Sequence, residues 1–190
     1  MSTAPEEFYS EERWENWLER IEEEDINPED EHSARLLLNL QDDAAIAVVK
    51  IIEAYQADQL NEEEALNELA GVREIVLDDV AIEDEEKALL IDGVQTSLLC
   101  VFLSAEEYIV EGAETDESVE ALFQRAEEAE AEEAFEDALY HCARAGTQII
   151  DGVELDLTIV EELEYGFVAE WVNGLDSLWN ALSDPEVVEE

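Results

Sequence analysis

Apolar residues recur every three or four positions along most of the chain, the spacing of amphipathic helices rather than strands. Trp14, Trp17, Leu18 and Ile21 share one face of a first segment. Thr3, Pro5 and Glu6 read as its cap, which predicts a helix over 5–25. A second stripe holds Leu36, Leu37, Leu40, Ala44, Val48, Ile51, Ile52 and Tyr55. Asn27-Pro28 reads as its N-cap and first helical residue, with an end near Ala57.

Asn61-Glu62-Glu63-Glu64 is a capping box for a third helix, ending near Val80. Gly71 inside it predicts a close helix crossing. A fourth helix is predicted over 84–110, where 98–103 is a run of six apolar residues. Such a run leaves no polar face, so this helix is expected to be central and the most buried. Asp92, Gln95, Thr96, Ser97 and Ser104 interrupt its apolar stretch, which reads as too short and too polar to span a bilayer.

Between 117 and 150 lies a Glu/Ala tract, 127–133, with high helix propensity and little to bury. It reads as one exposed helix or as two helices broken near Glu132, ended by Gly146 or Gly152. Thr158 with Glu161 reads as the cap of a last helix reaching Leu182. Only 153–160 alternates like a strand, and a lone strand is unstable. The predicted fold is therefore all-α: a bundle of six or seven helices in one domain over 1–182, followed by an acidic tail over 183–190.

Charge changes this picture more than size does. The chain has 190 residues, of which 55 are Asp or Glu and only 8 Lys or Arg, for a formal charge of −47. Such a charge strains the compact state through self-repulsion, a penalty that molar salt screens. The acids are spread along every predicted helix, which reads as adaptation of the whole surface to a salt-rich cytoplasm. Two other readings are mimicry of nucleic acid and a cation store. With no basic stripe, direct binding to nucleic acid is not expected. The acidic N-terminus carries no signal-peptide pattern, so the expected location is cytoplasmic.

No grouping amounts to an active site, and no cofactor is expected. Glu29 and His32 form one Glu-x-x-His, but a bridged di-metal site in a bundle needs two, and Ala138 stands three before His141. Cys100 and Cys142 lie in apolar helical surroundings and read as packed thiols. His141 and Cys142 are adjacent, so on a helix they do not face each other. Two weaker candidates remain. Arg13 and Arg20 bracket Trp14 and Trp17, a set that either pins the first helix or docks a partner. Asp92, Gln95, Thr96 and Ser97 are polar residues in the most apolar helix, and either line a polar pocket or satisfy one another.

Four stretches, Pro5-Glu6-Glu7-Phe8-Tyr9 with Arg13-Trp14, Asn27-Pro28-Glu29-Asp30, 36–43 and 91–97, resemble an uncharacterised family of haloarchaeal proteins. The resemblance implies a salt-loving archaeal host and assigns no functional residue. The function expected is that of a non-enzymatic interaction or adaptor protein, with a protein partner or a second copy and no membrane. The alternatives are a ligand-binding or carboxylate-based helical enzyme, and an acidic mimic of nucleic acid.

Overall fold

Most helices begin where a short polar side chain can accept a hydrogen bond from the first turn. The computed structural model describes residues 8–27, 29–113, 116–163 and 166–183, and among them eight helices and no strand. Ser10 caps α1 (Glu11–Glu23), its Oγ accepting from the Arg13 N–H at 3.1 Å. The predicted start at Thr3 and Pro5 lies outside the described residues. The cap of α2 (Glu31–Gln56) is Asp30 rather than Asn27. Asn27 Oδ1 instead accepts from the Glu29 N–H at 3.1 Å, so it forms the turn that precedes the helix.

In α3 (Glu62–Val76) both arms of the predicted capping box form, at 2.9 and 3.1 Å. Asp84 caps α4 (Glu85–Glu111), and Gly112, with φ of 80°, ends it in a conformation that suits glycine. The tract over 117–150 is two helices, α5 (Val119–Ala131) and α6 (Phe135–Ile150). The chain reverses at Glu133, with φ of 63°. The last predicted helix is also two, α7 (Leu157–Glu162) and α8 (Phe167–Ser183). Asp156, not Thr158, caps α7, accepting from the Thr158 N–H at 2.9 Å. These two breaks account for eight helices where six or seven were expected. Ser183 ends α8, and 184–190 lie outside the described residues.

The long helices α2, α4, α6 and α8 run in one direction. Tyr55 reaches the Ile109 carbonyl at 3.4 Å at one end of α2 and α4, while Leu37 and Leu90 line one groove near their other ends. Gln41 of α2 donates to the Asn173 carbonyl (3.3 Å) and to Ser177 Oγ (2.8 Å) of α8. The shorter α3 and α5 run back between them.

Two glycines set how closely these helices approach. A Cβ on Gly174 of α8 would lie 2.0 Å from the Ser97 carbonyl oxygen of α4. One on Gly146 of α6 would lie 1.9 Å from Ser104 Oγ, so this glycine makes a crossing and does not end the helix. Gly71 has nothing within 4 Å of the added atom, so the crossing predicted there does not form.

Helix α4 touches α2, α3, α6 and α8, and is central as predicted. Leu98 and Phe102 are fully buried within it, each contributing on the order of 1.5–3 kcal/mol. The longest unbroken buried run, however, is 142–150 in α6. By length and composition alone α4 could cross a membrane, with a hydropathy of 1.7 over its best window, a correction to the reading from its polar interruptions. Its place between four other helices accounts for that apolarity.

Candidate functional site

The two candidate sets have different fates. Trp14 and Trp17 are buried core residues. Arg13 Nε donates to Asp43 Oδ2 at 2.6 Å and its Nη2 to Oδ1, while Trp17 Nε1 donates to the same Oδ2 at 2.9 Å. Asp43 is 4% exposed, so this fork carries a buried carboxylate and joins α1 to α2. Tyr9 lies beside it, its phenol pushed up first by burial and then by the charge of Asp43. Arg20 sits over the Trp17 ring, 5.6 Å from its centroid. Arg13, Trp17 and Arg20 also border a shallow hollow of about 190 Å³ with Asn16.

The polar residues of α4 do not converge. Asp92 is exposed. Gln95 Nε2 donates to the carbonyls of Val76 and Asp78, both at 2.9 Å, and so closes the end of α3. Thr96 Oγ1 donates back to the Asp92 carbonyl at 2.9 Å. Ser97 is buried beneath Gly174.

Ser97 does border a groove of about 380 Å³ at the N-terminal ends of α2 and α4, against α8. Leu37 and Leu38 form one wall, Leu90, Gly93 and Val94 the other, and Glu170 stands at its edge. Leu38 is 45% exposed, and Leu89, the residue before Leu90, is 70% exposed. Burial pushes the Glu170 carboxyl above its ordinary range, with smaller pushes from Asp92 and Glu130. A signal for this groove stands in the sequence. Three consecutive leucines, 36–38, and a pair, 89–90, exceed what one inward face accepts. Leu36 is buried, whereas Leu38 faces out.

A second apolar cluster lies at the start of α6 and α8. Phe135 and Phe167 meet edge-on at 5.3 Å, and Phe167 stacks on Trp171 at 5.8 Å. Phe135 and Phe167 are both exposed. Beneath them Glu130 of α5 accepts from the Phe167 N–H (3.1 Å) and the Val168 N–H (3.2 Å), and so caps α8. Removing that cap by Glu130→Ala is expected to cost about 1–2 kcal/mol. The check is a lower urea midpoint at unchanged slope, in constant salt. An unaltered midpoint would deny Glu130 its capping role.

Nothing in these clusters favours nucleophilic or metal chemistry. Burial pushes the Cys100 thiol up to about 12, and burial followed by Cys100 raises Cys142, so both stay protonated. His32 instead meets Glu24 at 3.3 Å, and no group of three or more His, Cys, Asp or Glu able to hold a metal occurs among the described residues.

A family model matches residues 7–190. The chain belongs to DUF2150, a family of uncharacterized proteins conserved in archaea. No curated protein and no solved structure matches it. In this DUF2150 chain the scarce cations do structural work. Lys87 Nζ donates to the carbonyls of Glu22 and Glu24, both at 2.8 Å, closing the end of α1 against the start of α4. Arg144, 9% exposed, pairs with Glu107 (3.3 Å) and Glu111 (3.5 Å). Arg73 pairs with Glu106, and Arg125 with Glu117.

Asp42 of this chain gives a pH test. Burial raises its pKa, the Ser177 hydroxyl lowers it, and Asp176 raises it. A carboxyl raised in the fold binds more protons there than in the unfolded chain. Its charged form therefore weakens the fold at neutral pH, and stability returns as pH falls through the folded value. Asp42→Asn is expected to stabilise the protein at pH 7 by about 1 kcal/mol or less after solvent screening. The variant should gain less than the wild type on acidification. Melting temperatures at pH 7 and pH 5 decide, and a less stable variant at pH 7 would contradict this sign.

Proposed function

We propose that this protein is a non-enzymatic interaction or adaptor protein of a salt-rich archaeal cytoplasm. One observation carries the reading. In a chain with 55 acidic residues, large apolar side chains stay exposed at two places, Leu38 in the wall of a groove and Phe135 packed against Phe167. Scattered exposed leucines need no explanation, but an exposed leucine in a leucine-lined groove and a pair of exposed phenylalanines in contact mark contact surfaces. The inert thiols and the cations spent on capping and pairing support a binding role over a catalytic one.

The test is capture from an archaeal lysate held at multimolar KCl, with wild type, Leu38→Asp and Phe135→Asp as baits. The reading expects a protein retained by wild type and lost with at least one variant. Identical captured sets from all three baits would overturn it.

A further inference from the structure

We propose that Cys100 of α4 and Cys142 of α6 form a redox pair, which a peroxide closes into a disulfide that ties the two core helices together. This goes beyond the interaction reading and does not depend on it.

The chain has two cysteines, and both are fully buried. Helix packing puts them at one level of the core. Phe135 meets Phe167 and Gly146 meets Leu175, so α6 runs alongside α8, which in turn runs alongside α4. Helices α4 and α6 touch where Gly146 meets Ser104. Cys100 is one turn before Ser104, and Cys142 is one turn before Gly146. Residues one turn apart share a helix face, so both thiols lie between the helices, next to the contact. Burial raises the Cys142 thiol, then the neighbouring Cys100, then Glu130 and Glu127 of α5. Cys142 therefore faces α4 on one side and α5 on the other.

The spacing suits a bond. A Cβ placed on Gly146 would lie 2.5 Å from the Ser104 Cβ. A disulfide needs its two Cβ atoms about 3.5–4.5 Å apart. At the contact the helices are closer than that, and they diverge from it toward the separation required.

In the closed fold both thiols are protonated and out of reach of solvent, so neither reacts. The last turns of α5, however, bury only Ala126 and Ala129. Helix ends with so little apolar contact open before the rest of a fold does. Opening there lets Cys142 ionise as an ordinary thiol. Its thiolate attacks one oxygen of hydrogen peroxide and breaks the O–O bond. Cys142 becomes a sulfenic acid, and the departing hydroxide takes up the thiol proton as water. The Cys100 sulfur then attacks the Cys142 sulfur, and the S–S bond forms. The sulfenic hydroxyl leaves with the Cys100 proton as a second water. Two thiols are oxidised and one peroxide is reduced. Under reducing conditions the pair stays open, so the bond responds to oxidant.

Peroxide treatment of the full chain folded in 2 M KCl tests this, followed by unfolding, alkylation and peptide mapping without reductant. Wild type is expected to lose both free thiols together and to yield one peptide pair that joins Cys100 to Cys142 within a single chain. Dithiothreitol should restore both thiols. The oxidised protein is expected to melt about 5–10 °C higher, because the bond closes a long loop. Cys100→Ala is expected to stop at a Cys142 sulfenic acid that dimedone traps. Cys142→Ala is expected to leave Cys100 a free thiol many-fold longer. Should either variant fail to fold, the wild-type map still decides. Thiols that survive in the folded chain, while the same peroxide oxidises the urea-unfolded chain, overturn the proposal. Separate sulfinic acids, or cross-links only between chains, overturn it as well. A bond that lowers the melting temperature also overturns it, because the helices then hold the two sulfurs apart.

Discussion

Gly174→Ala is expected to destabilise the bundle by about 3 kcal/mol or more, although the same change strengthens an isolated helix by about 1 kcal/mol. The added Cβ would stand 2.0 Å from the Ser97 carbonyl oxygen and 2.7 Å from its carbon. Those are backbone atoms of the central helix, so no rotamer change relieves the overlap. Instead α8 must move off α4, loosening contacts along the whole crossing. That displacement also draws Asn173 and Ser177 away from Gln41, leaving its buried amide without partners. Gly146→Ala meets Ser104, whose Oγ lies 1.9 Å from the added atom and whose hydroxyl bonds the Cys100 carbonyl at 2.7 Å. It should be destabilising too, and Ser104→Gly should recover part of the loss. Gly71→Ala is the control, because its Cβ meets nothing, so a gain of up to about 1 kcal/mol is expected. Thermal melts of the three variants in one molar-salt buffer give the comparison. A Gly174→Ala protein as stable as wild type would show that the α4–α8 crossing is not close in solution.

The contrast among glycines also shows what a sequence can convey. Periodicity located α4 to within a residue at each end, because Asp84 and Gly112 are local signals acting on local backbone. The capping box at Asn61 was legible for the same reason. Crossings were not. Gly71, Gly93, Gly146 and Gly174 look alike along the chain, and only the neighbours supplied by other helices separate them. The break near Glu132 was legible as one of two alternatives and lies within a residue of the turn at Glu133, whereas the break before Gly166 was not foreseen. Helix propensity is high on both sides of Glu133, and the turn there lets α6 pack back against α5, in which Phe123 and Ala126 are buried.

Candidate chemistry followed the same division. Arg20 over Trp17 was readable from its spacing of three on one helix. The carboxylate that holds Arg13 comes from Asp43, 30 residues away, and no local pattern singles it out among 55 acids. Glu130 capping α8 is a similar case, 37 residues from the amide it accepts. The polar set of α4 looked like a site because polar residues in an apolar helix demand partners. Gln95 and Thr96 find theirs in carbonyls of α3 and of α4 itself.

Diluting the salt is expected to unfold the whole molecule. Helical neighbours three and four apart lie about 5–6 Å from each other, and acids occupy many such pairs, as at Glu64 with Glu68 and Glu128 with Glu132. The Debye length is about 3 Å at 1 M and about 10 Å at 0.1 M, so these repulsions are screened at the first and felt at the second. The crossover places the midpoint on the order of 0.3 M. Five of the eight cations, Arg13, Arg20, Arg73, Arg125 and Arg144, are already paired with carboxylates, which leaves a formal charge of −47 with little internal compensation. Typical domains hold only about 5–15 kcal/mol in reserve, so distributed repulsion of this kind can exceed it. Salt also strengthens apolar burial, and the two causes must be separated. Acid does so. In 0.1 M salt, lowering the pH into the ordinary carboxylate range thins the charge, with Asp42, Glu170 and Asp176, whose carboxyls burial raises, among the first to be neutralised. If repulsion is the cause, helical circular dichroism returns on acidification without added salt. If burial is the cause, acid restores nothing. A chain that keeps its full helical signal in 0.05 M salt at pH 7 would remove the basis for reading its carboxylates as an adaptation to brine.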